Sequence, residues 1–151
     1  MTQNLSKFLT AQNNKKYATQ SGTKIHALLK NIVIDKNTGN IGDTEFINRI
    51  QQHPELTKYF TKNTKTEVPI AGFINGIFIS RRIDRLLIDD TNKNITFIDY
   101  KTDTDKQTFI DKYKKQLNEY AQLLKSAYPE HKITGYILWL HDWQLEKLIC
   151  I

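Results

Sequence analysis

Two aspartates and a lysine lie inside apolar runs of the sequence. Asp84 belongs to Ile-Asp-Arg-Leu-Leu-Ile at positions 83–88, and Asp99 and Lys101 belong to Ile-Thr-Phe-Ile-Asp-Tyr-Lys at positions 95–101. A charged side chain in a strand that packs into a core is costly unless it has a partner or a task. These three residues are therefore the first candidates for chemistry.

The spacing of the two runs predicts a hairpin. Residues 89–94 between them are rich in turn-forming types. If Ile88 pairs with Ile95, antiparallel register brings Asp84 opposite Asp99, with Cβ atoms about 4.5–5.5 Å apart. The register therefore predicts a pair of opposed carboxylates.

Strand alternation adds a cation to this pair. Asp99 and Lys101 share one face of their strand, and the Tyr100 side chain points to the other. Adjacent carboxylates repel each other, so one takes a proton or a cation lies between them. An oxygen-rich site of this kind suits Mg²⁺ or Mn²⁺.

The composition is that of a soluble globular chain. Its 151 residues fit one domain, with 39% hydrophobic and 25% charged residues. The sequence has no apolar run of spanning length, and its start does not resemble a signal peptide, so we expect no membrane association and a cytoplasmic location. The net charge of +6 favours a polyanion such as nucleic acid, although a chain rich in Lys, Asn and Ile can also reflect coding bias.

Cysteine and histidine usage narrows the chemistry further. Cys150 is the only cysteine, which excludes an internal disulfide and a zinc or iron–sulphur site ligated by cysteines of this chain alone. His26 lies at the edge of a helical apolar stripe and could point inward. His53, His131 and His141 lie in polar segments, and we expect them to be exposed.

The patterning predicts an α/β domain. Residues 1–20 form a polar lead segment or linker remnant, and residues 21–151 form the domain. Helices are predicted over about 23–33, from Asp43 or Thr44, at Pro54, and from 105 to 127. Strands are predicted at 68–74, 77–79, 83–88, 95–101, 133–140 and 145–151. The expected sheet is mixed, with an antiparallel meander, a parallel crossover strand and flanking helices.

The motifs resemble those of the PD-(D/E)XK nuclease superfamily, in its RecB/AddA-type branch. The matching elements are Gly22…His26, Ile83-Asp84-Arg85-Leu86, Ile98-Asp99-Tyr100-Lys101-Thr102 and Tyr113…Gln116-Leu117…Tyr120, with Glu67 at the place of a further acid. The family often has glycine where this chain has Arg81. The resemblance spans residues 22 to about 140 and implies a restriction-endonuclease-like core.

The resemblance also implies roles. His26, Asp84, Asp99 and the main-chain carbonyl of Tyr100 would hold Mg²⁺, with Mn²⁺ as a substitute, and Asp84, Asp99 and Lys101 would be catalytic. Four further residues would touch DNA or order the site. They are Gln116, Tyr120, Tyr113 and Arg85.

The implied activity is hydrolysis of DNA phosphodiester bonds. The branch implies exonucleolytic processing of single-stranded or free DNA ends in double-strand break repair, with a helicase or helicase–nuclease subunit as partner. The alternative is a nucleic-acid-binding module of the same fold with weak or lost catalysis. CRISPR-associated iron–sulphur nucleases share the Gln and Tyr helix motif, but Cys150 alone cannot build their four-cysteine cluster.

Overall fold

The computed structural model describes residues 22–151, so the predicted lead segment lies outside the described residues. The helices are α1 (22–30), α2 (Thr44–Gln51), α3 (Pro54–Thr57), which runs into a 3₁₀ turn (Lys58–Phe60), and α4 (Lys106–Ala127). The strands are β1 (Lys65–Ile74), β2 (Ile77–Asp89), β3 (Asn94–Lys101), β4 (Lys132–Trp139) and β5 (Gln144–Cys150).

The five strands form one mixed sheet in the order β1-β2-β3-β4-β5. Neighbouring strands are antiparallel except β3 and β4, which are parallel and are joined through α4. This confirms the predicted α/β class with an antiparallel meander and a crossover strand. Helices α2 and α4 begin as predicted, because Asp43 and Asp105 accept hydrogen bonds from the backbone N–H groups of Phe46 and Thr108.

The structure corrects one predicted strand boundary. The sequence indicated separate strands before and after Ser80-Arg81-Arg82, but β2 runs without interruption for 13 residues. Each of these three residues pairs with a residue of β1, and all three side chains remain exposed. Their polar character marks a strand that extends beyond the core rather than a break in it.

Helices pack on both faces of the central strands of the sheet. On one face α1, α2 and α3 pack against β3 and β4 through residues such as Leu29, Ile50 and Tyr100. On the other face α4 packs through Leu117 and Tyr120. No helix in residues 22–151 has the length and apolar character needed to cross a membrane.

Two local features complete the core. Gly135 of β4 lies under the ring of Phe97, and a Cβ atom there would come within 2.9 Å of the Phe97 Cε1 atom.

His131 was expected to be exposed, but only 6% of it is accessible. Its Nε2 atom lies 3.0 Å from Oδ1 of Asp90, and its ring packs against Tyr128, so a polar segment still buries this histidine.

Candidate active site

The two aspartates lie where the β2–β3 ladder ends. The predicted pairing of Ile88 with Ile95 is confirmed, and the register continues to Arg85 and Ile98. One step further, Oδ2 of Asp84 accepts a 2.8 Å hydrogen bond from the backbone N–H of Tyr100. The ladder therefore stops one pair short of Asp84 and Asp99, and a side chain replaces the next backbone bond.

The alternation of side chains between the two faces of β2 reverses at Asp84. Ile83 packs in the α4 core, whereas Arg85, two residues later, contacts the opposite core. A regular strand would turn both side chains to the same face. Glu67, at the equivalent point of β1, has a positive φ of 54°. Such a φ is uncommon for a residue with a Cβ atom, and irregular strand positions of this kind re-aim side chains near functional sites.

Asp99 and Lys101 share the α4 face of β3, as the alternation predicts. The Nζ atom of Lys101 lies 2.7 Å from Oδ2 of Asp99. The contact is an ion pair without hydrogen-bond angles, so this oxygen, although buried, has no hydrogen-bond donor among the described residues. Burial, opposed by the charge of Lys101, raises the pKa of Asp99 to about 6.

Three residues of α4 hold Lys101. Its Nζ atom donates a 3.0 Å hydrogen bond to Oε1 of Gln116, and it lies 4.3 Å from the ring centroid of Tyr113. Nε2 of Gln116 in turn donates to the hydroxyl of Tyr120 at 2.7 Å. Because Tyr120 is 3% exposed and Tyr113 is 8% exposed, these rings pack beside the Lys101 side chain and offer little surface to a ligand.

His26 approaches the carboxylates from α1. Its Nδ1 atom lies 3.5 Å from Oδ1 of Asp84, and its ring packs edge-on against Tyr100. The contact with Asp84 raises the pKa of His26, and burial opposes this shift only in part. The sequence suggested that His26 could point inward from its helix, and the structure shows that it does.

The structure excludes one of the two roles that the resemblance implied for Arg85. It was expected to bind DNA or to order the site, but it is 2% exposed and cannot reach a nucleic acid in this structure. Its guanidinium donates to the carbonyl of Leu29 at 2.8 Å, to the carbonyl of Tyr59 at 3.0 Å and to the hydroxyl of Tyr100 at 2.8 Å. It therefore fixes the end of α1, the helix that carries His26.

The donor set suits a hard cation. No group of three His, Cys, Asp or Glu side chains within residues 22–151 is close enough to hold a metal ion unaided. Mg²⁺, however, usually binds one or two carboxylates and keeps several waters for exchange with substrate phosphates. Asp84 and Asp99, with its oxygen that lacks a hydrogen-bond donor, match that requirement.

The backbone carbonyl of Tyr100 points to the same side of β3 as its N–H group. The N–H and C=O groups of a strand residue point to the same side, and the Tyr100 N–H points to Asp84. The carbonyl of the next residue, Lys101, points the other way and accepts from the N–H of Leu140 at 2.9 Å. The backbone oxygen of Tyr100 is thus directed towards β2, the strand that carries Asp84.

The site opens on two sides. One cleft of about 700 Å³ lies beside α1 and is lined by His26, Glu67, Arg82, Thr102 and Asp103, among others. A second cleft of about 490 Å³ lies between β2 and α4, and four cations line it. They are Arg81, Lys101, Lys112 and Lys115.

Sequence reasoning assigned no role at the site to three charged residues of these clefts, Arg82, Asp103 and Glu119. Arg82 and Glu67 form an ion pair at 2.9 Å, and Arg81 and Glu119 form another at 2.9 Å. Asp103 accepts a hydrogen bond from the hydroxyl of Tyr113. The run Arg81-Arg82 just before Asp84 was the available signal for Arg82.

Comparison with known proteins identifies a family. The model of the PD-(D/E)XK nuclease superfamily matches residues 45–146, about two-thirds of the chain. One solved structure that the chain resembles is titled "Crystal structure of SSO0001", with 20% sequence identity and a TM-score of 0.41. The likeness covers 69% of this chain and 48% of that one, so the chain spans about half the length of that protein. No curated protein matches the sequence. By the extent of the family match, this chain belongs to the PD-(D/E)XK nuclease superfamily.

Proposed function

We propose that this domain is a metal-dependent DNA nuclease that hydrolyses phosphodiester bonds. The observation that carries the proposal is the position of Lys101, 2.7 Å from Asp99 and anchored by Gln116. A buried carboxylate with a raised pKa beside a positioned ammonium group is typical of a functional site.

Each residue of the site has a proposed task. Asp84, Asp99 and the Tyr100 carbonyl would hold Mg²⁺ or Mn²⁺, with His26 at the edge of the ligand set. When bound, the cation would lower the pKa of the attacking water and neutralise charge on the phosphate. Lys101 would position that water and stabilise the negative charge that develops on the phosphorane oxygens. Gln116, held by Tyr120, would keep the ammonium group in place.

The charged clefts support a polyanionic substrate. Lys112 and Lys115 lie exposed on α4, in the same cleft as Lys101. Cations along a cleft attract phosphates and orient the strand without reading its sequence. We infer that the nucleic-acid backbone enters along this side of α4 and reaches the carboxylates beside Lys101.

The finer assignment rests on the motifs. The order Ile83-Asp84-Arg85-Leu86, Ile98-Asp99-Tyr100-Lys101 and Gln116…Tyr120 resembles that of RecB/AddA-type nucleases. We therefore propose exonucleolytic processing of single-stranded or free DNA ends in recombinational repair, with a helicase as partner.

A second candidate is a nucleic-acid-binding module without catalysis. The direct ion pair of Lys101 with Asp99 favours it, because this pair neutralises the carboxylate without a cation. Arg81, which stands where the family often has glycine, adds a bulky cation beside the same cleft. The two candidates differ in whether bound DNA is cut.

The deciding experiment is a cleavage assay with labelled single-stranded DNA. We expect the wild-type protein to cut it with Mg²⁺ or Mn²⁺ and to stop when a chelator is added. Lys101→Ala should lower kcat by at least ~100-fold and leave the affinity for DNA nearly unchanged. Lys132→Ala, an exposed lysine at the start of β4, is the matched control and should cut normally.

Two outcomes would correct the proposal. A folded wild-type protein that binds DNA but never cuts it would establish the binding module instead. Cleavage of a circular single strand, which has no ends, would establish endonucleolytic action and remove the exonuclease assignment.

A further inference from the structure

The β1–β2 hairpin has one face that no described element covers. Gly72 and Arg81 point towards α4: a Cβ atom at Gly72 would lie 3.0 Å from Leu123, and Arg81 bonds to Glu119. The alternate residues of both strands therefore point away from α4. The six of them nearest the turn are exposed. They are Pro69, Ala71, Phe73, Phe78, Ser80 and Arg82.

Two aromatic rings form the tip of this face. Phe73 and Phe78 are direct cross-strand partners next to the Asn75-Gly76 turn. They are 71% and 59% exposed, and their ring centroids lie 5.5 Å apart. Adjacent apolar side chains that are exposed to solvent often mark a binding site, whereas isolated exposed apolar residues are normal on protein surfaces.

The face leads from the rings to the candidate active site. Behind the rings lie the small residues Ala71 and Ser80, which are paired, and then Pro69 opposite Arg82. Arg82 lines the same cleft as His26. Asp84 lies six positions after Phe78, which is about 20 Å at ~3.3 Å per strand residue. Aromatic rings, a small-residue floor and an arginine thus lie in one line that ends at the carboxylates.

We propose that this face binds unpaired nucleic acid, with Phe73 and Phe78 stacked on bases and Arg82 in contact with a phosphate. The proposal rests on the proposed nuclease function and specifies its substrate as single-stranded. Aromatic side chains along a basic path are the means by which proteins hold single strands without sequence preference. In a duplex the base faces are already stacked on each other, so the rings gain nothing there.

The hairpin is poorly suited to a protein occupant. β1 is an edge strand, and an open edge invites another chain to add a strand. Pro69, in the middle of β1, has no N–H to donate and interrupts such pairing. The strip is also narrow, and its only large apolar side chains are the two rings at its tip.

The first test measures binding without cleavage. Fluorescence anisotropy of labelled oligothymidylates of 4 to 20 nucleotides, with chelator present, gives the affinity at each length. Phe73→Ala and Phe78→Ala should each weaken binding of the 20-mer about tenfold. The deficit should shrink for the shortest strands, because a strand that does not reach from the site to the rings can bind at the site without them. Ile77→Ala is the matched control, since Ile77 is 64% exposed at the same tip but points to the other face.

The second test reports stacking directly. Phe78→Trp keeps an aromatic ring, so affinity should stay near the wild-type value. The emission of its indole should be quenched by the single-stranded 20-mer and much less by a duplex of the same length. Trp139 and Trp143 are 0% and 5% exposed, so a tryptophan at position 78 would be the one that responds.

The outcomes separate this proposal from the nuclease assignment. Unchanged 20-mer affinity in the Phe73→Ala, Phe78→Ala double variant would overturn the stacking proposal, whether or not the wild-type protein cuts DNA. Equal quenching by duplex would overturn single-strand preference. If the double variant instead abolished self-association in sedimentation runs and kept its DNA affinity, the face would be a contact between copies. If the wild-type protein does not cleave DNA, but its binding still depends on Phe73 and Phe78, the result would count against the nuclease function alone.

Discussion

The Nε atom of Arg85 donates a 2.8 Å hydrogen bond to the hydroxyl of Tyr100. Arg85 follows Asp84, and Tyr100 lies between Asp99 and Lys101. One buried bond therefore couples both halves of the candidate site on the face of the sheet opposite Lys101. The guanidinium also lies 4.1 Å from the ring centroid of Phe60, so the contacts of Arg85 extend to the 3₁₀ turn that follows α3.

Arg85→Ala should be among the most destabilising changes in the protein. It removes buried donors from the carbonyls of Leu29 and Tyr59 and leaves a cavity, so we expect a loss of at least ~3 kcal/mol in the free energy of unfolding. Arg85→Lys should not restore it, because an ammonium group cannot reproduce the planar fork. Urea denaturation gives the values. Arg82→Ala, an exposed arginine three positions earlier, is the control and should cost no more than ~1 kcal/mol. Equal effects of the two alanine variants would contradict this role of Arg85.

Asp99→Asn should stabilise the metal-free protein at alkaline pH. Burial raises the pKa of Asp99 to about 6 from a usual value of 3.8. Because the folded state binds this proton more tightly, the stability that protonation adds is complete below pH 4 and is lost as the pH rises through 6. The amide should therefore gain on the order of 1–3 kcal/mol at pH 8.

This gain should shrink towards zero at pH 4, as thermal or urea unfolding in chelator would show. Asp111→Asn, an exposed aspartate on α4, is the control and should behave as wild type at both values of pH. A variant with Asp99→Asn that is less stable than wild type at pH 8 would mean that the ion pair with Lys101 outweighs the cost of burial.

Gln116→Ala should lower kcat about 10–100-fold with little change in KM. The amide holds Lys101 at 3.0 Å and does not itself need to touch the substrate. Tyr120→Phe removes the hydroxyl that fixes this amide and should give a smaller loss of the same kind. Steady-state kinetics on labelled single strands give both constants. A change confined to KM would instead indicate that Gln116 contacts the nucleic acid.

Asp84→Asn should reduce Mn²⁺ affinity at least ~10-fold, and His26→Ala should have a smaller effect. Asp84 is a hard oxygen donor fixed by the backbone N–H of Tyr100, whereas the Nδ1 atom of His26 lies 3.5 Å from the Asp84 carboxylate. Isothermal titration calorimetry or Mn²⁺ electron paramagnetic resonance measures the affinity directly. His53→Ala, at a half-buried histidine between α2 and α3, should bind as wild type. Mn²⁺ affinity that survives Asp84→Asn unchanged would place the metal elsewhere.

Gly135→Ala should cost about 1–3 kcal/mol, because the new methyl group meets the Phe97 ring in a packed core. Phe97→Leu in the same chain should recover part of the loss, since the smaller side chain leaves room for the methyl group. Urea denaturation of the single and double variants forms the cycle. Additive losses would show that the two positions do not share this contact.

Local sequence patterns determined much of this protein. Alternation fixed the shared face of Asp99 and Lys101, and turn chemistry together with the Ile88–Ile95 pairing fixed the register between β2 and β3. Helix caps at Asp43 and Asp105 were readable from residue type, and the motif order indicated the superfamily that the comparison shows. These features depend on neighbours within a few positions, which is the range over which periodicity carries information.

Only the tertiary structure decided how the site is aimed. The face reversal at Asp84, the buried role of Arg85 and the approach of His26 depend on residues far apart in the chain, such as Arg85 and Leu29, 56 positions away. The single long β2 likewise depends on pairing with β1 rather than on its own composition. A charged residue in an apolar strand indicates that a partner exists, but the partner is set by packing between elements, which no local pattern encodes.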